Sequence, residues 1–144
     1  MGSVPGGTHR GLLTILGEPE EGIKFGRTAL RLNPHNPDWY LAFLSTALFM
    51  ARNYAEALAV RLRAPEAFID SSFFGAAVLA HMGRLDEAKR WADKGISRLV
   101  DTPGGALAVS EARVVQLLLD NNPYCRQEDR DHFADGMRKT GVPG

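Results

Sequence analysis

The run His81-Met82-Gly83-Arg84-Leu85-Asp86-Glu87-Ala88-Lys89-Arg90-Trp91-Ala92 decides the fold, because it reads as the tight turn between two antiparallel helices. Gly83 stops the first helix, since glycine alone takes a left-handed backbone conformation without steric cost. Asp86 and Glu87 open the second, where negative charge suits the positive end of the helix dipole. Ala88 is small enough for two helices to approach closely. The same turn occurs upstream as Ala51-Arg52-Asn53-Tyr54-Ala55-Glu56-Ala57-Leu58 and, more weakly, as Leu16-Gly17-Glu18-Pro19-Glu20-Glu21-Gly22-Ile23.

Outward from these turns the chain divides into helices. Residues 20–32 place Ile23, Ala29 and Leu30 inward, and Lys24, Arg27 and Arg31 outward. The run Asn33-Pro34-His35-Asn36-Pro37-Asp38 breaks the chain, with two prolines removing amide donors and Asp38 available as a cap. Residues 39–51 and 70–82 are apolar nearly all round, so each predicts a helix covered on several sides. Their partners are half wet. Residues 54–64 put Ala57, Leu58 and Leu62 inward with Glu56, Arg61 and Arg63 outward, and residues 86–99 set Ala88, Ala92, Gly95, Ile96 and Leu99 against a charged face. After a break at Asp101-Thr102-Pro103-Gly104-Gly105, residues 106–120 predict one strongly apolar helix and residues 128–139 a short amphipathic one carrying Phe133 and Met137. No strand-like alternation appears. The expected division is a flexible tail over 1–11, helical hairpins over 12–100 and capping helices over 101–144, in an all-α chain.

Gly22, Ala57 and Ala88 occupy equivalent places 35 and 31 residues apart. The tetratricopeptide repeat has a period of about 34 residues. The chain resembles that family in Leu16-Gly17 at a hairpin, Ala29-Leu30-Arg31-Leu32-Asn33-Pro34 at a unit's close, and Leu48, Tyr54, Ala57-Leu58, Leu79, Gly83 and Ala88 in the later units. It departs from the pattern at Gly22, where alanine is usual, and at Arg52, which replaces a hairpin glycine. A narrower likeness rests on Leu30-Arg31-Leu32-Asn33-Pro34-His35-Asn36-Pro37-Asp38-Trp39-Tyr40-Leu41 and on the closing run Phe133 to Gly144. These are similar to the repeat region that follows bacterial class III adenylate and guanylate cyclase domains. The resemblance implies antiparallel hairpins stacked as a short right-handed solenoid, with a C-terminal helical cap and a regulatory or scaffolding role in bacterial signalling. Nothing resembles the cyclase catalytic domain.

In such a stack the first helix of each pair lines a concave groove. Trp39, Phe43, Thr46 and Met50, then Phe73, Ala77 and His81, are its expected lining. Each set steps by three or four residues, so each forms one helical face. The lining is apolar and aromatic and suits a protein or peptide segment, a second copy of the chain, or the chain's own C-terminal helix. The alternative is core: Trp39, Phe43 and Phe73 would then simply lie under residues 106–120.

Seventeen basic and seventeen acidic residues balance to zero formal charge, which argues against electrostatic capture of nucleic acid or an anionic membrane. The basic stripe Arg84, Lys89, Arg90, Lys94 and Arg98 is interrupted by Asp86, Glu87 and Asp93. One cysteine, Cys125, fits a reducing, cytoplasmic setting, and no apolar run approaches the ~20 residues of a membrane span. A small helical enzyme is the competing class. Its candidates Asp70, Ser71, Ser72 and His81 would spread over about 16 Å of one helix at 1.5 Å per residue, too far for a hydrogen-bonded set. Glu128, Asp129, Asp131 and His132 read as a solvated helix start rather than metal ligands. The expectation is a non-catalytic interaction module without a cofactor.

Overall fold

A computed structural model describes residues 19–33, 35, 37–122 and 126–144. Among the described residues there are eight helices and no strand: α1 Pro19–Leu32, α2 Asp38–Met50, α3 Tyr54–Arg63, α4 Ser71–His81, α5 Leu85–Leu99, α6 Gly105–Ser110, α7 Val114–Asp120 and α8 Gln127–Lys139. The chain is all-α. The tail over 1–11, the turn at Leu16-Gly17 and Cys125 lie outside the described residues.

Three helices end in the same turn. Arg52, Gly83 and Ala112 have φ of 64°, 79° and 53°. In each case the next amide reaches back five residues: Asn53 N–H to Leu48 O at 2.9 Å, Arg84 N–H to Leu79 O at 2.9 Å, and Arg113 N–H to Ala108 O at 2.8 Å. This is the hydrogen bonding of a Schellman stop, which satisfies carbonyls that the helix end orphans. Glycine fits the left-handed position at Gly83, whereas Arg52 and Ala112 carry a steric cost of roughly 1–2 kcal/mol each. The third turn corrects the expected single helix over 106–120, which is two short helices, α6 and α7. α7 buries Val114, Val115 and Leu118 fully, whereas α6 buries only Gly105 and Ala108 and leaves Leu107 exposed.

α2 packs on α3 and α4 on α5 as hairpins, α1 lies on α2, and α3 lies on α4. The α4/α5 contact is reciprocal. A Cβ at Gly75 of α4 would fall 2.2 Å from Trp91 Cε3, and one at Gly95 of α5 would fall 2.9 Å from the Phe73 ring. Each helix thus gives up a side chain to admit the other's aromatic ring. α8 does not extend the row of hairpins; it folds back onto α4 and α7. Behind it Val142 is buried, and Val115 N–H donates to Pro143 O at 2.9 Å, which ties the last residues to α7.

On α3 the inward stripe is Ala57, Val60, Arg61 and Ala64, at the i, i+3, i+4, i+7 spacing of one helical face. Two expectations are therefore corrected: Leu62 is 57% exposed, and Arg61 is 1% exposed. Phase along the helix outranks residue type here. Asp38 likewise lies in the first turn of α2, after an N-cap at Pro37, and makes no capping bond.

A side chain at position 75 cannot coexist with the seated indole. Gly75→Ala is expected to lower stability by about 1–3 kcal/mol through overpacking. Urea unfolding measures the loss, and red-shifted Trp91 emission in a Trp39→Phe background reports the displaced ring.

Candidate functional site

One face of α4 is covered by α8. Gly136 of α8 lies so close to α4 that a Cβ there would fall 2.9 Å from Ala77 Cβ and 3.0 Å from His81 Nε2. Phe133 stacks on Phe74 with centroids 4.1 Å apart, and His132 stacks on His81 at 3.8 Å. His81 Nε2 donates to the His132 carbonyl at 2.8 Å, which places a proton on that nitrogen. The Tyr54 hydroxyl shares a 2.8 Å hydrogen bond with His132 Nε2, and Phe49 faces His132 at 4.9 Å. α8 contributes these groups because Asp129, His132, Phe133, Gly136 and Met137 recur at three- and four-residue steps along one face.

The N-terminal end of α8 is held by charge. The Asp129 carboxylate, 1% exposed, accepts from Arg52 Nη1 at 3.0 Å and from Arg126 Nε at 3.0 Å. Arg52 is the residue in the left-handed turn, and the same Nη1 also donates to the Met50 carbonyl. Further along, Arg130 Nη1 donates to Leu119 O at 2.8 Å and to Asn122 O at 3.0 Å, occupying carbonyls at the end of α7.

A second feature lies beside this face. Ala42, Phe43 and Thr46 of α2, Arg61 of α3, Phe68, Ile69 and Asp70 of the connecting segment, Phe74 of α4, and Asn121 and Asn122 line a cavity of about 260 Å³. Phe43 meets Phe68 edge-on at 5.5 Å. The Arg61 guanidinium is buried among hydroxyls: Nη2 donates to Thr46 Oγ1 at 3.0 Å and Nη1 approaches Ser71 Oγ at 3.5 Å. Its Cζ stands 5.6 Å from the Phe74 ring centroid, a cation–π approach.

The expected groove residues go to different places. Ala77 and His81 meet α8. Phe43 and Thr46 line the cavity, and Trp39 is half-buried against Tyr40, 4.9 Å away. Met50 is buried in α2. Phe73 is fully buried against Gly95 of α5, so it is corrected from expected groove lining to hairpin core, and the neighbouring Phe74 is the residue that meets α8. Phe49, Tyr54, Phe74, Arg61, Asp129 and His132 carry the observed contacts and stand outside the expected set. The catalytic candidates are separately committed: Ser71 Oγ accepts from Phe68 N–H at 3.0 Å, Asp70 accepts from Asn122 at 3.1 Å, and His81 serves α8. Among the described residues no group of three or more His, Cys, Asp or Glu is placed to hold a metal ion. On the basic stripe, Arg84 pairs with Glu87 and Lys94 with Glu66. No described helix is long and apolar enough to cross a membrane. No protein-family model, curated protein or solved structure matches this chain.

Docking α8 perturbs its histidine. Burial, then the neighbouring His81 ring and the Arg52 guanidinium, push His132 down from 6.5 to about 4, against the opposing pull of Asp129 and Asp135. His81 is lowered as well, chiefly by burial. Between about pH 6.5 and about 4 the unfolded chain therefore binds more protons than the folded one. Stability is complete above that window and falls as the pH drops through it. Solvent screening of the half-exposed ring limits the loss to about 1 kcal/mol. Urea midpoints measured from pH 7 to pH 5 are expected to fall, and His132→Gln is expected to flatten the slope.

Proposed function

We propose that this chain is a non-catalytic protein-interaction module: a short, right-handed, tetratricopeptide-like stack of helical hairpins whose inner face is occupied by its own last helix. The three equivalent turns and the pairwise packing of α2 with α3 and α4 with α5 support the stacked arrangement. The seating of α8 carries the functional reading. Phe133 lies on Phe74, and Gly136 admits Ala77, so the face accommodates an amphipathic helix with a small residue at its closest approach. Helix-in-groove recognition uses the same physics. The partner on this reading is a protein segment of α8-like character, or α8 of a second copy exchanged between chains. The resemblance to repeat regions that follow class III cyclase domains suggests a regulatory setting in bacterial, cytoplasmic signalling. The zero net charge and the acidic partners of Arg84 and Lys94 favour this over a nucleic-acid partner, and the separate hydrogen bonds of Asp70, Ser71 and His81 favour it over an enzyme.

Displacing α8 tests the reading. Gly136→Leu forces a side chain against Ala77 and His81 and is expected to unseat α8 while circular dichroism keeps its helical signal. A labelled peptide of residues 126–144 is then expected to bind the variant with micromolar affinity, on the order of −8 kcal/mol, and to ignore the parent chain. Phe133→Asp provides an independent way to lift the helix. Folded variants of both kinds that fail to take up the peptide would refute the proposal.

A further inference from the structure

Arg61 presents an imbalance that the fold does not resolve. Its side chain is 1% exposed, yet among the described residues no carboxylate stands within 4.0 Å of it. Nε has no hydrogen-bond partner, and the bonded nitrogens have only neutral hydroxyls. Desolvation lowers its pKa to about 10, so it remains a cation at neutral pH. An unpaired buried charge is costly, and an apolar residue on the same stripe would pack without that cost. A guanidinium kept here has donors to spare, and it lines a cavity.

We propose that this cavity is a binding site for a small monocarboxylate with an aromatic or branched apolar body, whose carboxylate pairs with Arg61. The planar fork of a guanidinium matches a carboxylate with two parallel hydrogen bonds. The rest of the wall suits hydrocarbon: Phe43, Phe68 and Phe74 supply aromatic surface, and Ala42 and Ile69 supply aliphatic surface. The volume fits as well. A cavity of about 150 Å³ holds benzene, and this one, at about 260 Å³, leaves room for a ring and a carboxylate. Asp70 sets the charge of the ligand. It lines the cavity without forming an ion pair with Arg61, and its carboxylate is held by Asn122 at 3.1 Å. Asp70 repels added negative charge, so a second charge on the ligand is disfavoured and a singly charged carboxylate is preferred over phosphate. The cavity shares Phe74 with the face that α8 covers, but the proposal does not depend on what occupies that face.

The probes are phenylacetate, its uncharged isostere phenylacetamide, acetate and inorganic phosphate, each titrated against the full chain at pH 7 by ligand-observed NMR and thermal melting. Phenylacetate is expected to bind and raise the melting temperature. The amide and acetate are expected to bind about tenfold more weakly or less, and phosphate not to compete. Arg61→Met is expected to abolish the preference for acid over amide. Phe68→Ser, on the exposed side of the cavity, is expected to weaken phenylacetate severalfold with the fold intact, which keeps the test decisive if Arg61→Met does not fold. Equal binding of acid and amide, displacement by phosphate, or no binding of phenylacetate would each overturn the proposal.

Discussion

α4 has no wet side. Every residue from Ser71 to Ala80 is buried, so this helix exists only where neighbours surround it. The surrounding elements supply that cover in different ways. α5 inserts Trp91 over Gly75 and receives Phe73 over Gly95, while α8 brings Gly136 against Ala77 and Phe133 against Phe74. Within this dry helix Ser71 Oγ takes the Phe68 amide. The position of α8 follows from this requirement. Without it, Phe74, Ala77 and His81 would face water along with Phe49 and Tyr54 on the adjoining hairpin.

What could be read from the sequence follows from where periodicity exists. The turn at Gly83 and its copy at Arg52 were legible because both interrupt apolar helices at the same spacing, although one of them lacks glycine. The third copy, at Ala112, was hidden because alanine is the best helix former and gives no local sign of a stop. On α4 the expected Ala77 and His81 do meet α8, while Phe74 rather than Phe73 completes that face. One residue turns a helix by about 100°, and a segment apolar on every side offers no contrast from which to set its rotation. On α3 the contrast was present but overruled. Arg61 sits on the inward stripe by spacing, and its charge alone argued for water. On α8 the apolar Phe133 and Met137 were found, while Asp129 and His132, on the same face, were lost among the charges around them. Polar residues that bind inward look like solvated ones until their phase is followed.

Arg52 joins two roles that would ordinarily fall to different residues. Its backbone takes the left-handed turn at the end of α2, and its side chain meets Asp129 on α8. Glycine in that place would relax the turn but leave a buried carboxylate with Arg126 as its remaining partner. The strain in the turn is offset by a contact across the fold, so the substitution of arginine for the expected glycine is explained by tertiary rather than local structure.

The Arg52–Asp129 pair spans 77 positions along the chain, whereas the hairpins close between sequence neighbours. Contacts of short separation form soonest and distant ones last. α4 precedes α8 in the chain, so the face that α8 covers is synthesised before its cover.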